Sequence, residues 1–133
     1  MKKIKGYIFS RPFYDERVPQ KIQNLVIREF CKNKNYIYSL SAVEYRMNNS
    51  SLILKDLVNT LKNYDGIVAY SVFQLPSNMQ LRKEIVENII KNQKFLAFAI
   101  EDILVKKKND YFELEKFWKI KLTLNKCYKY GTI

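Results

Sequence analysis

Asp65-Gly66-Ile67-Val68-Ala69-Tyr70-Ser71-Val72 is the stretch on which the fold turns. Asp-Gly stops whatever precedes it, and the uncharged run that follows carries β-branched Ile67, Val68 and Val72. A short run with no polar face reads as a strand buried on both sides, which places it in the middle of a parallel sheet. Leu75-Pro76 ends it. Upstream, Leu54, Leu57, Val58 and Leu61 recur at helical spacing, with Ser50 or Ser51 placed to cap that helix. Tyr36 to Val43 alternates and is β-branched, so it reads as a strand. Pro19 occupies a favoured first-turn position for a helix carrying Ile22, Leu25, Val26 and Phe30. Ile4 to Phe9, bounded by Ser10-Arg11-Pro12, reads as the first buried strand.

Downstream, Ser77-Asn78-Met79-Gln80 has the spacing of a capping box before Leu81, Ile85 and Ile89. Phe95 to Ile100 reads as a fourth strand, stopped by Glu101-Asp102. Asp110 with Glu113 suggests another helix start, carrying Leu114, Phe117 and Trp118. Lys119 to Leu124 is ambiguous, because Ile120, Leu122 and Leu124 alternate as a strand would. Residues beyond about 125 are expected to be loose. Four alternations of strand and helix predict an α/β fold: a three-layer sandwich with a four- to five-stranded, mostly parallel sheet in a single domain, 1–133. No linker or internal repeat divides the chain.

Composition narrows the chemistry. The 133 residues contain 24 Lys+Arg, 13 Asp+Glu and no histidine, for a net charge of +11. Without histidine there is no Ser-His-Asp or Cys-His nucleophile and no HExxH metal site. Three glycines, in neither a P-loop nor a GxGxxG pattern, argue against a nucleotide-binding turn of those types. Cys31 and Cys127 are too few for a disulfide scaffold, so a cytoplasmic setting is expected. No apolar run approaches the roughly 20 residues of a membrane helix, and Met1-Lys2-Lys3-Ile4-Lys5-Gly6 lacks the core of a signal peptide. The positive charge is mostly lysine spread along the chain. Its densest cluster, Lys106-Lys107-Lys108, falls in a loop before Asp110 and reads as a solvated loop or a nucleic-acid contact. No specific nucleic-acid partner is expected from it.

In an open parallel sheet, ligands sit beyond the carboxyl ends of the strands, where strand order reverses. That rule selects Ser10-Arg11-Pro12-Phe13, Glu44-Tyr45-Arg46, Tyr70 to Gln74, and Glu101-Asp102. Arg11, Arg17 and Arg46 can fork onto a phosphate or carboxylate, or pair with Asp15, Glu16 or Glu44 as structural ion pairs. Glu44 and Glu101 are candidates to act as acid, base or metal ligand, and Ser10 is a nucleophile, a ligand contact or a turn cap. Gln20, Tyr70, Ser71 and Gln74 are candidates for orienting ligand hydroxyls. Cys31 reads as core. The residues name no metal site and no particular cofactor.

Two resemblances bear on these residues. Gly6-Tyr7 followed by Ser10-Arg11, the helix with Gln20 and Gln23, and Asp65-Gly66-Ile67-Val68 resemble the catalytic domain of serine recombinases (resolvases). That resemblance implies a resolvase-like fold. It departs where the family has an Asp-Arg-Leu-x-Arg segment: Phe73-Gln74-Leu75-Pro76-Ser77 stands there, and both arginines are absent. Ser10 and Arg11 also reverse the family's order, and the family's dimer helix and DNA-binding helix-turn-helix would lie beyond Ile133. Strand exchange is therefore not expected, since it would lack most of its charge stabilisation.

Gly6-Tyr7-Ile8-Phe9-Ser10-Arg11-Pro12-Phe13, Arg17-Val18-Pro19-Gln20, Gln23-Asn24, Leu40-Ser41, Glu44-Tyr45 and Asp65 through Pro76 resemble the sporadic carbohydrate cluster proteins of bacteria. That resemblance implies work in surface-polysaccharide or unusual-sugar biosynthesis, and it assigns no catalytic residue. The expected ligand is an anionic sugar, sugar phosphate or nucleotide-sugar. A second expectation is a noncatalytic, self-associating partner or regulatory protein, in which exposed aromatics such as Trp118, Tyr128 and Tyr130 would serve an interface. A homo-oligomer is expected on either reading. Nucleic-acid binding, resting on charge alone, comes third.

Overall fold

The computed structural model describes residues 1–13, 17–47 and 50–130, with side chains described as far as Leu124. The elements run β1 (Lys3–Ile8), α1 (Gln20–Asn33), β2 (Ile37–Val43), α2 (Leu52–Asn59) and β3 (Gly66–Ala69), then a 3₁₀ turn (Val72–Gln74), α3 (Met79–Lys91), β4 (Phe95–Phe98), β5 (Ile103–Val105) and α4 (Lys108–Tyr130). They build a five-stranded sheet in the order β2-β1-β3-β4-β5. The first four strands are parallel, and β5 returns antiparallel to β4. The α/β class and the mostly parallel sheet are as the sequence predicts.

All four residues of β3 are buried, as a central strand requires, and their alternation divides the core in two. Ile67 and Ala69 join Tyr7, Leu96 and Phe98 beneath Leu54, Val58, Ile85, Ile89, Leu114 and Trp118 of α2, α3 and α4. Val68 joins Ile4, Ile8, Phe95 and Ala97 beneath Ile27 and Cys31 of α1. One helix therefore covers one face of the sheet and three cover the other. Gly66 is where β3 meets β4 most closely: a Cβ there would lie 2.6 Å from the carbonyl oxygen of Phe95.

Several local expectations change. The buried face of α1 is Gln23, Ile27 and Cys31, whereas Ile22 and Leu25 are exposed, because a polar residue occupies the core register. Ser51 is the N-cap of α2, but its side chain makes no capping bond; Glu44 supplies that function from the end of β2, as described below. The capping box occurs at Ser71–Gln74, while α3 is capped by Asn78 Oδ1, which accepts from the Leu81 amide. Lys119–Leu124 is helical, within an α4 that continues to Tyr130. Trp118, expected at a surface, is core: it is 1% exposed, and its indole N–H donates to the Val72 carbonyl. The side chains of Cys127, Tyr128 and Tyr130 lie outside the described residues.

Arg82 joins the helical layer to the loop after the 3₁₀ turn. It is buried, donates through Nε and Nη2 to both oxygens of Glu115, and donates through Nη1 to the carbonyls of Pro76 and Ser77. Its guanidinium also lies 4.2 Å from the Trp118 ring centre. A planar fork with five donors is the side chain suited to this combination of partners.

Candidate functional site

The chain runs from β1 outward to β2 and then back across to β3, so strand order reverses between β1 and β3. Beyond the carboxyl ends of those two strands is the crevice where an open α/β sheet binds ligands. A pair of buried amides closes its floor. Gln23 accepts the Phe9 N–H at 2.9 Å and returns bonds to the carbonyls of Phe9 and Val18. Gln74 accepts from the amides of Tyr70 and Ser71 and donates to Gln23 Oε1 at 2.7 Å. The two glutamines thereby tie the end of β1 to the end of β3.

Glu44 closes the other side. One oxygen accepts from the Tyr7 hydroxyl at 2.7 Å and the Leu54 amide at 3.2 Å. The other accepts from the Tyr45 and Ile53 amides and from the Ser50 hydroxyl, at 2.9–3.1 Å. Burial pushes this carboxyl up, but the bonds from Tyr7, Ile53, Ser50 and Tyr45 outweigh it and hold Glu44 below the usual glutamate range. A carboxylate at the start of α2 also meets the positive end of the helix dipole. Burial, followed by the charge of Glu44, pushes the Tyr7 phenol far up, so it stays protonated and donating. With both oxygens saturated, Glu44 is built as an anchor between β1, β2 and α2; this geometry does not favour the proton-moving role expected for it.

Beside this floor, at the ends of β1 and β2 and the start of α1, lies a cavity of about 230 Å³, lined by Ser10, Arg11, Arg17, Gln20 and Arg46 together with Phe9 and Pro19; among the described residues, none that follows β3 lines it. Five of the ten residues selected from the sequence therefore meet in one place. Arg11 stacks 4.0 Å over the Phe9 ring and donates to the carbonyls of Tyr45 and Ser50, which fixes its guanidinium at the wall. Ser10 Oγ donates to the Glu44 carbonyl at 3.1 Å. Arg17, Gln20 and Arg46 are exposed. Pro19 and Gln20 open α1, whose N-terminus has no side-chain cap, so its partial positive charge adds to that of the arginines. No carboxylate lines the cavity among the described residues. The expected pairing of Arg11 or Arg17 with Asp15 or Glu16 lies outside the described residues.

The remaining selected residues do not line this cavity. Ser71 donates to one oxygen of Glu101 at 2.8 Å and accepts from the Phe73 amide, while the other Glu101 oxygen accepts the Val72 amide. Together they hold the 3₁₀ turn after β3. Tyr70 packs edge-on to Phe13. Gln74 is part of the floor. Gln23, not selected from the sequence as a site residue, is the hinge of the arrangement. Its signal was a glutamine at the i, i+4, i+8 register of Ile27 and Cys31.

Elsewhere, burial pushes the Cys31 thiol up to about 11, which suits a core residue rather than a nucleophile. Among the described residues, no group of three Cys, Asp or Glu side chains is placed to hold a metal ion, and no helix is long and apolar enough to cross a membrane. A larger apolar groove, about 870 Å³, runs between α3 and α4 past Met79, Val86, Tyr111 and Phe112.

No protein-family model matches the chain, and no curated protein matches it. Solved structures do. The N-terminal catalytic domain of TP901-1 integrase superposes with a TM-score of 0.64 at 15% identity, over 94% of this chain and 96% of that one. A resolvase family site-specific recombinase from Streptococcus pneumoniae superposes with a TM-score of 0.59 at 13% identity, over 95% and 97% of the two chains. The fold is that of resolvase-like catalytic domains.

Proposed function

We propose that the Arg11–Arg17–Arg46 cavity binds the anionic group of a sugar phosphate or nucleotide-sugar, and that the protein acts in surface-carbohydrate biosynthesis. The observation that carries this reading is the convergence of three arginines and an uncapped helix start on one concavity with no carboxylate in its described lining. Arg11 is fixed before any ligand arrives, so little ordering is lost on its contact, while exposed Arg17 and Arg46 supply the bidentate grip. Ser10 and Gln20 stand at the rim for sugar hydroxyls. About 230 Å³ is below the ~300–1,000 Å³ of a site that encloses a drug-sized ligand. It suits a phosphoryl group with one sugar ring, and a nucleotide would extend over the surface. The choice of a sugar rests on the resemblance of the Gly6–Phe13 and Asp65–Pro76 segments to sporadic carbohydrate cluster proteins.

The geometry supports binding more directly than turnover, because both oxygens of Glu44 and both of Glu101 are engaged within the fold. A second reading, attachment to a nucleic-acid backbone, is favoured by the net charge of +11 and by the recombinase domains that share the fold. A thermal-shift series with glucose 1-phosphate, UDP-glucose and a short single-stranded oligonucleotide separates the two. The carbohydrate reading predicts stabilisation by the sugar phosphates that persists at physiological salt and is lost in Arg17→Gln/Arg46→Gln. Stabilisation by the oligonucleotide alone would favour the second reading and count against the first.

A further inference from the structure

The arginine cavity leaves the lysine-rich loop at 106–108 unexplained. We infer that this loop completes a second anion site at the amino ends of the strands, shaped for a diphosphate group. Lys2, Lys94, Lys106 and Lys107 line one cavity of about 290 Å³, with Asp65 and Phe95 also in its wall. These lysines come from β1's approach, the start of β4 and the turn before α4, so the fold gathers them and the sequence run alone does not. Lys2 and Phe9 mark opposite ends of β1, roughly 23 Å apart at a strand rise of about 3.3 Å per residue. The two cavities are therefore separate sites.

The lysine cavity is held in shape. Asp110 Oδ2 accepts the backbone N–H groups of both Lys106 and Lys107 at 3.0 Å. Asp65 Oδ2 accepts the Lys3 amide at 2.7 Å, and the Lys106 ammonium lies 5.7 Å over the Phe95 ring. None of the four lysines makes an ion pair among the described residues, where the ion pairs are Lys34–Asp102, Arg82–Glu115 and Lys116–Glu113. Four lysines outnumber the carboxylates of Asp65 in the wall and Asp110 behind the loop, so the cavity has a net positive lining that suits a multiply charged diphosphate. A single nucleic-acid strand would want exposed rings for stacking. The ring here, Phe95, is 2% exposed and offers no such platform.

The test uses the whole protein with sodium pyrophosphate and, separately, ADP as probes. Lysine acylation is read residue by residue by mass spectrometry, and affinity by calorimetry. Pyrophosphate is expected to protect Lys94, Lys106 and Lys107 while leaving exposed Lys119 labelled. Lys94→Gln/Lys106→Gln should weaken its binding about tenfold or more, the loss of one to two charge-assisted bonds. Arg17→Gln/Arg46→Gln should leave the protection of Lys94, Lys106 and Lys107 unchanged even if it removes heat from the arginine site, which keeps this outcome distinct from the fate of that site. ADP binding more tightly than pyrophosphate would assign the site to a nucleotide, and equal affinity would assign it to the diphosphate alone; either upholds the inference. No protection at millimolar pyrophosphate would overturn it. So would equal protection by sodium chloride at matched ionic strength, or lysine protection lost in the arginine variant and kept in the lysine variant. Protection is measured on the native sequence as well, so misfolding of a variant alone cannot decide the result.

Discussion

Replacing Glu44 with glutamine swaps one carboxylate oxygen for an NH₂ group that has to face donors on either side. Placed where the first oxygen was, it meets the Tyr7 hydroxyl, which can turn and accept, and the Leu54 amide, which cannot. Placed where the second was, it meets the two amides of Tyr45 and Ile53 and the Ser50 hydroxyl. The first orientation costs less. It orphans one buried amide, at about 1–3 kcal/mol, and turns the surviving bonds from charge-assisted to neutral, so about 3–5 kcal/mol is expected from the hydrogen bonds. Loss of the carboxylate from the helix start adds about 0.3–1 kcal/mol.

Urea titration of the wild type and Glu44→Gln at neutral pH measures that gap. Acidification measures its origin. Because the folded-state carboxyl is held below the usual range, its contribution is fully present above the unfolded glutamate value of about 4.3. It is lost as pH falls through the lower, folded value. The gap between the two proteins should therefore narrow on acidification. A cost under about 1 kcal/mol, well below that of a disrupted buried polar network, would refute the anchoring role. A gap that widens in acid would refute it too.

The other sites give outcomes of different kinds. Arg17→Gln and Arg46→Gln, both exposed, should leave the urea midpoint nearly unchanged while each weakens glucose 1-phosphate binding about tenfold, read by calorimetry. Arg82→Ala removes one half of the buried Arg82–Glu115 pair and should cost about 3–5 kcal/mol in urea unfolding. Gly66→Ala should cost about 1–3 kcal/mol, since its Cβ would press on a backbone oxygen that cannot rotate away. Its melting temperature, compared with that of an exposed control substitution, checks this.

The sheet was legible where burial leaves one possible reading. Ile67, Val68 and Ala69 are apolar in sequence because both faces of β3 are covered, and Phe95 to Phe98 repeat the pattern. β5 escaped because Ile103–Val105 is only three residues long, too few for a period to show. The register of α1 was misjudged because Gln23 is polar in sequence and yet fully buried. Its amide bonds to Phe9, Val18 and Gln74 make that burial tolerable, and those partners lie 5 to 51 residues away along the chain.

The strand-end rule found Ser10, Arg11 and Arg46 because it follows from topology alone. It could not tell the residues that line the cavity from those that close its floor. Glu44 and Gln74 stand at strand ends like the arginines, but their donors come from elements whose placement only folding sets. Trp118 shows the same limit. Its neighbours Lys116 and Lys119 suggest a surface, while the helix turns the indole onto Val72.

The central claim, that an anion is held between the carboxyl end of β1 and the start of α1, is tested most directly by a ¹⁵N–¹H titration with glucose 1-phosphate. Saturable shifts are predicted at the amides of Ser10, Arg11, Arg17, Gln20 and Lys21, with little change in β5 or α4. Shifts confined to other elements, or no saturable shift at millimolar ligand, would contradict it.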